Sequence, residues 1–189
     1  MSNESVLNLV QTPRELDELY GSKDYYWYLR SPPFVDAFIK PMATIINEIG
    51  LPCLDVGCGE AVLFDHLKVP YVGIEGSASA IERANHCRPT ARIVRGRIES
   101  PVAIFPLDFG TIVFGGLFSV LVKPDRQFDF INRYAAFKPK FFIVYDLERT
   151  DTTQIDERFE RILERHATAE IDLKPDVKRH RKILVYRWT

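Results

Sequence analysis

The segment Cys53-Leu54-Asp55-Val56-Gly57-Cys58-Gly59-Glu60-Ala61 constrains the fold of this chain more than any other. A short apolar strand runs directly into Gly-x-Gly and then into a helix candidate. Glycine lets the backbone turn sharply and approach a ligand closely, and the N–H groups at a helix N-terminus attract anionic groups. The segment therefore predicts a strand–turn–helix unit that holds a ligand, although a tight turn without a ligand has the same pattern.

A second acidic residue favours the ligand. Glu75 ends the next predicted strand, 20 residues after Asp55. A carboxylate there is well placed to accept hydrogen bonds from both ribose hydroxyls of a nucleoside, and we expect Glu75 to be an exposed acid of the cleft. A dinucleotide-binding dehydrogenase is the alternative within this kind of fold, but its fingerprint needs a small residue where this chain has Val62.

Strands and helices alternate from residue 51 onwards, which predicts a parallel sheet with helices on both faces. The strand candidates are Pro52–Val56, Tyr71–Glu75, Ala91–Arg95, Gly110–Phe114 and Phe141–Asp146. The helix candidates between them are Ala61–Lys68, Ala78–His86 and Asp125–Phe137. Ala91–Arg95 carries two arginines, so we predict that it is an edge strand, where charge is tolerated.

The two ends of the chain have different patterns. Before residue 51, a short helix is predicted from Thr12, and a second helix from Ser31 is predicted to kink at Pro41 and to end at Gly50. After residue 150, a capping-box spacing from Thr153 predicts a helix whose apolar stripe is Ile155, Phe159, Ile162 and Leu163. Two antiparallel strands, Ala169–Leu173 and Ile183–Trp188, are predicted to follow, with the basic run 178–182 as a solvated turn between them.

Composition excludes several classes of protein. A chain of 189 residues suits one domain. Its 25 basic and 26 acidic residues give a formal charge of −1, so no global field draws it to nucleic acid or to a membrane surface. The longest uncharged run, Phe109–Val122, is too short for a membrane span. Three cysteines without a framework and a start without a secretion signal predict a cytoplasmic protein without a metal site.

Over about residues 30–188 the chain resembles the class I S-adenosylmethionine (SAM)-dependent methyltransferases. The resemblance is carried by Leu54–Glu60, Tyr71–Ser77, Val94–Ile98, Asp108–Leu117 and Phe137–Lys140. It departs from the family at two positions, because Ala61 replaces the last glycine of the first motif and Arg97 replaces an aspartate near the adenine. The resemblance implies a Rossmann-like, doubly wound α/β sheet of seven strands in the order 3-2-1-4-5-7-6, with the seventh strand antiparallel.

The resemblance also implies that SAM is the cofactor and assigns residues to its site. The implied cofactor-binding residues are Arg30, Asp55, Gly57, Cys58, Gly59, Glu75, Gly76, Gly96, Arg97, Ile98 and Phe114. Residues 1–30 are predicted to form a helical and aromatic lid on a core of residues 31–189, all within one domain. Arg30 is placed to meet the methionine carboxylate.

Methyl transfer from a sulfonium is an in-line displacement, so alignment and exclusion of water supply much of the rate. Asp146 and Glu148 follow the fifth predicted strand, at the edge where open α/β sheets bind ligands. We predict Asp146 as a base or acceptor-orienting group. Tyr26 is predicted as a second catalytic residue that stacks on the sulfonium or the acceptor. Packing of the lid aromatics on the sheet is the alternative explanation for that segment.

The segment Asp108–Leu117, which resembles the fourth motif of the family, narrows the class of acceptor by elimination. Phe114-Gly115-Gly116-Leu117 has neither the Asn/Asp-Pro-Pro-Tyr-like element of amino methyltransferases nor the acid of a Lys-Asp-Lys-Glu tetrad, and no cysteine ends the fourth strand. These absences favour a small-molecule acceptor and disfavour a nucleic acid. A methyltransferase acting on RNA, DNA or protein, or a noncatalytic partner protein with this fold, remains the alternative.

Overall fold

The structure is a computed structural model that describes residues 14, 17, 18, 21, 30–97, 109–116, 127–147, 158–170 and 178–189. Several predictions from the sequence lie outside the described residues. They concern Tyr26 and its aromatic neighbours, Ile98, Glu148, and the helix start at Thr153.

Seven strands form one sheet in the order β3-β2-β1-β4-β5-β7-β6. The strands are β1 (Cys53–Val56), β2 (Tyr71–Glu75), β3 (Ile93–Arg95), β4 (Thr111–Gly115), β5 (Phe141–Leu147), β6 (Phe159–Glu170) and β7 (Lys178–Trp188). The first five strands pair in parallel, while β7 is antiparallel to β5 and to β6. The predicted fold class, strand order and reversed seventh strand are therefore confirmed, as is the edge position of β3.

The helix before the sheet has three continuous parts, which are α1 (Pro32–Phe34), a π-helical turn (Val35–Ile39) and α2 (Lys40–Ile49). Pro41 has no N–H and its ring crowds the preceding turn. The helix accommodates it by widening just before the proline, where the N–H of Lys40 bonds to the carbonyl of Val35. Gly50 ends α2 in the left-handed conformation, with φ of 70°.

Helices cover both faces of the sheet. On one face, α2 packs its buried residues Met42 and Ile46 into a cluster with Val113 and Ile143. The helix α3 (Ala78–Cys87) contributes Ala84 beside Tyr71 on that same face. On the opposite face, α4 (Gln127–Ala135) buries residues that include Ile131 and Tyr134, which lie with Phe114 and Phe142. No helix in the described part of the chain is both long and apolar enough to cross a bilayer.

The helix predicted at Ala61–Lys68 is wrong in type and length, because the structure has only a 3-10 helix at Val62–His66. Ala61 has a φ of 56°, in the left-handed region, so a right-handed helix cannot begin before it. Leu67 is already extended, and Pro70 disfavours helical backbone at the residue before it. Only five residues remain between these two limits.

The helix predicted through Phe159, Ile162 and Leu163 is also wrong, because these residues belong to β6. A β-bulge lies between Arg161 and Leu163. Phe159 lies opposite Trp188 and packs against Phe142 on the α4 side, whereas Leu163 lies opposite Val185 on the α2 side, so the helical spacing does not mark a common face. The run 178–182 is likewise part of β7 and not a solvated turn, since Arg181 is buried.

Candidate functional site

The glycine loop after β1 leaves the sheet where the strand order reverses, between β1 and β4. In open α/β sheets this crevice at the carboxyl ends of the strands is the usual ligand site. Gly57 and Gly59 have φ of 69° and 55°, and Ala61 has φ of 56°. All three positions of the first motif thus favour glycine, and Ala61 carries a backbone cost of roughly 1 kcal/mol.

Glu75 ends β2 directly beside this loop, but it is not the exposed acid that the sequence predicted. Its side chain is buried, at 4% exposure. The N–H of Gly59 donates to its Oε2 at 2.8 Å, and the N–H of Ser77 donates to its Oε1 at 2.7 Å. Burial raises the pKa of Glu75, while these hydrogen bonds oppose the shift. The carboxylate therefore fastens the glycine loop to the start of α3.

Asp55 and Tyr71 form a buried pair below the loop. The hydroxyl of Tyr71 donates to Asp55 Oδ2 at 3.0 Å. The pKa of Asp55 rises from 3.8 to about 7, mainly because of burial; the Tyr71 hydrogen bond opposes this rise, and the charge of Glu75 adds to it. The hydrogen-bond partner of Asp55 is thus Tyr71, while Glu75 is the acid that binds the N–H of Gly59 in the loop and the N–H of Ser77 at the start of α3.

Cys58 points its side chain down into the space above β2, and Gly73 makes that space available. A Cβ on Gly73 would lie 2.4 Å from Cys58 Sγ and 3.0 Å from the Tyr71 hydroxyl. Burial raises the pKa of the Cys58 thiol well above its usual range. The thiol is thus a neutral packing group, and any contact of Cys58 with a ligand falls to its backbone.

Glu60 is a site residue that the sequence analysis missed. It is buried at 5% exposure and pairs with two cations, Arg83 Nε at 2.8 Å and Arg30 Nε at 3.1 Å. Arg88 also donates from Nη1 to the Glu60 carbonyl at 3.0 Å. Arg30 therefore lies at the glycine loop, where its contact is with a carboxylate of the protein, and its contact with the methionine carboxylate of SAM stays a prediction.

The turns after β2 and β3 meet beside Glu75. The N–H of Gly96 donates to the Glu75 carbonyl at 3.0 Å. A Cβ on Gly76 would lie 3.6 Å from the Gly96 carbonyl oxygen, which is ordinary contact. Arg97 is exposed next to them. The structure thus brings the segments Tyr71–Ser77 and 94–97, which both carry the resemblance, together at one side of the glycine loop.

The N-terminal segment reaches the same place through Asp17. Its Oδ1 accepts from the Ser77 hydroxyl at 2.7 Å and from the Ser79 N–H at 3.2 Å. The hydrogen bond from Ser77 is the main cause that lowers the pKa of Asp17. Ser77 also caps α3 by accepting from the Ala80 N–H at 3.2 Å. A residue of the predicted lid is therefore attached two positions after Glu75.

The ends of β4 and β5 form the other side of the crevice. Phe114 is fully buried in the core, with its ring 5.3 Å from Tyr134 and 5.5 Å from Phe142, so its side chain leaves no surface for a cofactor. The next residue, Gly115, borders open space, because a Cβ there would meet nothing within 4 Å. Asp146 lies at the end of β5 and is 1% exposed.

Arg181 is a further residue that the sequence analysis did not place at this edge. Its guanidinium lies 5.1 Å from the ring of Tyr145 and 5.4 Å from the ring of Phe34, and the whole residue is 7% exposed. A Cβ on Gly116 would lie 3.4 Å from its Nη1. No group of three His, Cys, Asp or Glu residues within the described ranges is arranged to hold a metal ion.

Comparison with known proteins finds similarity in structure but not in sequence. No protein-family model and no curated protein matches the sequence. The N-methyltransferase NodS of Bradyrhizobium japonicum WM9, solved with S-adenosylhomocysteine (SAH), matches with a TM-score of 0.68 at 13% identity, over 93% of this chain and 97% of its own. The plantazolicin methyltransferase BpumL, also solved with SAH, matches with a TM-score of 0.60 at 13% identity, over 98% of this chain and 99% of its own.

A third solved structure comes from Pyrococcus horikoshii and is described as a candidate RNA methyltransferase. It matches with a TM-score of 0.62 at 13% identity, over 94% of this chain and 98% of its own. These neighbours are class I SAM-dependent methyltransferases. The chain therefore has the Rossmann-like fold of that class, as its motifs predicted.

Proposed function

We propose that the protein is a SAM-dependent methyltransferase that transfers a methyl group to a small-molecule acceptor by in-line displacement. The observation that carries the proposal is the glycine loop at the switch point of the sheet, with Gly57 and Gly59 in left-handed conformation and Glu75 beside them. The fold supports the same cofactor, since the structural neighbours include two methyltransferases solved with SAH.

The residues present suit the cofactor. An ionised carboxylate has about four acceptor positions, and Glu75 uses two of them for the N–H groups of Gly59 and Ser77. The Gly76 N–H contributes a further hydrogen bond to the carboxylate, and we propose that the remaining position accepts from the ribose hydroxyls. Gly57 and Gly59 allow close approach to the loop, and Gly76, Gly96 and Arg97 border the region for the adenine. When bound, SAM supplies an activated methyl group.

We assign the acceptor to the open space beside Gly115, between the ends of β4 and β5. Asp146 is the second-to-last residue of β5, and we propose that it orients the acceptor or removes its proton. Tyr26, with residues 1–30 as the lid, is proposed to close the site from above. The attachment of Asp17 to Ser77 supports a lid that acts directly beside the ribose region.

A macromolecular acceptor is the second candidate, because one structural neighbour is described as a candidate RNA methyltransferase. The two candidates differ in surface chemistry. An RNA-binding enzyme neutralises phosphates with basic side chains and therefore loses affinity as salt is raised, whereas binding of a small neutral acceptor in a closed pocket is insensitive to salt.

Isothermal titration with SAM and SAH, in the presence of a chelator, tests the proposal. We expect one site for each ligand and no heat with NADH. Gly57→Ala is expected to weaken SAM binding tenfold or more, about 1.4 kcal/mol. Gly50→Ala is the matched control, because Gly50 has the same φ of 70° but lies at the end of α2. Equal loss of affinity in both variants, or preferential binding of NADH, contradicts the proposal.

The acceptor class is tested separately with SAM labelled in the methyl group. Pools of small metabolites, total RNA and protein extracts are each incubated with the protein, and label is followed into each fraction. We expect label in the small-molecule pool. Label found only in RNA, with binding that weakens steeply as salt rises, supports the second candidate instead.

A further inference from the structure

The strand β6 forms one edge of the sheet and carries a self-complementary sequence. Within the part of the chain that the structure describes, β7 is the only strand paired with β6. The unpaired N–H and C=O groups of an edge strand can pair with another chain. Ile162 and Leu163 are adjacent on this strand and are 44% and 39% exposed.

The charges around these two residues are complementary to those of a second, antiparallel copy of the same strand. The segment reads Glu160-Arg161-Ile162-Leu163-Glu164-Arg165. If two copies of it pair antiparallel about a two-fold axis between Ile162 and Leu163, every charge lies opposite a charge of the other sign. The pairs, each formed twice, are Glu160 with Arg165, Arg161 with Glu164, and Ile162 with Leu163. A shift of two residues places Ile162 opposite Arg165, so the sequence specifies a single register.

The bulge in β6 makes the side chains of each pair lie on the same face. Arg161 and Glu164 are opposite Tyr186 and Leu184, which both belong to the core on the α4 side. Arg165 is opposite Ile183 on the α2 side, and alternation along β7 places Glu160, opposite Arg187, on that side as well. Residues directly opposite in an antiparallel pair share a face, so the faces agree as well as the signs.

The centre of the segment adjoins a wider apolar surface. A groove of about 440 Å³ is lined by Ile162 and Leu163 together with Ile45, Ile49, Phe141 and others. Phe141 is the first residue of β5, so the groove lies at the amino end of that strand. The crevice described above lies at the carboxyl ends of the parallel strands. A partner strand paired with β6 would bring its own Ile162 and Leu163 against this surface without obstructing the candidate site.

We propose that β6 is the interface of a homodimer, in which two copies pair antiparallel and their sheets join into one. A two-fold interface of this kind buries the same patch on both copies. Charged edge strands usually discourage pairing, but here each charge of the segment lies opposite a charge of the other sign when the partner is the reversed strand of a second copy. The exposed ion pairs within one copy, such as Arg161 with Glu164 at 3.1 Å, join those of the other copy in a larger network.

Two charge variants of the full chain test the proposal. Glu160→Arg/Glu164→Arg makes the edge wholly basic, and Arg161→Glu/Arg165→Glu makes it wholly acidic. By sedimentation velocity we expect the natural protein at twice the 21.8 kDa of one chain. Each variant alone is expected at half that mass, and an equal mixture of the two is expected to recover the doubled mass as a heterodimer. Thermal melting checks that each variant remains folded.

Two more variants complete the design. Ile162→Asp is expected to halve the mass of the natural protein, because it places a charge at the centre of the interface. Glu82→Arg changes the charge of the exposed surface of α3 by the same amount as one basic substitution and is expected to remain dimeric. The proposal is overturned if the natural protein stays at 21.8 kDa up to millimolar concentration, if either charge variant dimerises alone, or if the mixture of the two does not dimerise.

Discussion

Removal of the Glu75 carboxylate is expected to destabilise the fold even when no ligand is bound. Glu75→Ala leaves two buried donors without their acceptor, the N–H groups of Gly59 and Ser77. Each unsatisfied buried group costs about 1–3 kcal/mol. Relief from burying a carboxylate, whose pKa burial has raised, offsets part of that cost. We therefore expect the free energy of unfolding to fall by about 2–4 kcal/mol.

Glu75→Gln separates the hydrogen bonds from the shape of the side chain. The amide oxygen of Gln can accept from one of the two N–H groups, while its NH2 group faces the other donor. We expect a loss of roughly half that of Glu75→Ala. Glu82→Ala, an exposed acid on α3, is the matched control and is expected to stay within about 0.5 kcal/mol of the natural protein.

Urea unfolding followed by circular dichroism, without any ligand, measures these differences. The slope of the transition should stay unchanged, so that a shift in midpoint reports stability. A midpoint in Glu75→Ala equal to that of Glu82→Ala would refute the reasoning. It would mean that water or another acceptor satisfies the Gly59 and Ser77 donors, and that Glu75 is not needed to hold the loop.

Three further predictions follow from the same region. The Asp55 pKa rises to about 7 on folding, so between pH 4 and 7 the folded state holds a proton that the unfolded state releases. The free energy of unfolding should therefore fall by roughly 4 kcal/mol as pH rises from about 4 to 7. Urea unfolding of Asp55→Asn, measured over the same pH range, should lack this fall. Gly73→Ala should lower the melting temperature because its Cβ meets Cys58 Sγ at 2.4 Å, and adding Cys58→Ala should recover part of the loss. A chain that starts at Ser31 lacks the Asp17 contact with Ser77 and should stay folded by circular dichroism but bind SAM more weakly; an unfolded product would make residues 1–30 structural.

The sequence by itself determined the fold class and the position of the candidate site. β4 and the first four residues of β5 are almost wholly apolar, and such runs form strands buried on both faces in almost any α/β context. The glycines at Gly57 and Gly59 are local requirements of backbone geometry, so they too can be read without the rest of the chain.

The spacing of apolar residues did not distinguish a helix from a strand where the outcome depended on neighbouring segments of the fold. Phe159, Ile162 and Leu163 have helical spacing, yet they lie in β6, where pairing with β7 and a bulge after Arg161 place Phe159 and Leu163 on opposite faces. Val62–His66 forms only a 3-10 helix because the left-handed Ala61 and the nearby Pro70 leave no room for a longer one. Pairing and crowding of this kind are properties of the assembled sheet, and a local pattern does not contain them.

Only the tertiary structure decided what the site residues contact. Glu75 was predicted as an exposed acid, but the turn after β1 brings the Gly59 N–H to 2.8 Å from its carboxylate and buries it. Glu60 and Arg30 are 30 residues apart in the chain and meet only because the first helix returns to the glycine loop. Hydrogen bonds and burial depend on distances between segments remote in sequence, and the fold alone sets those distances.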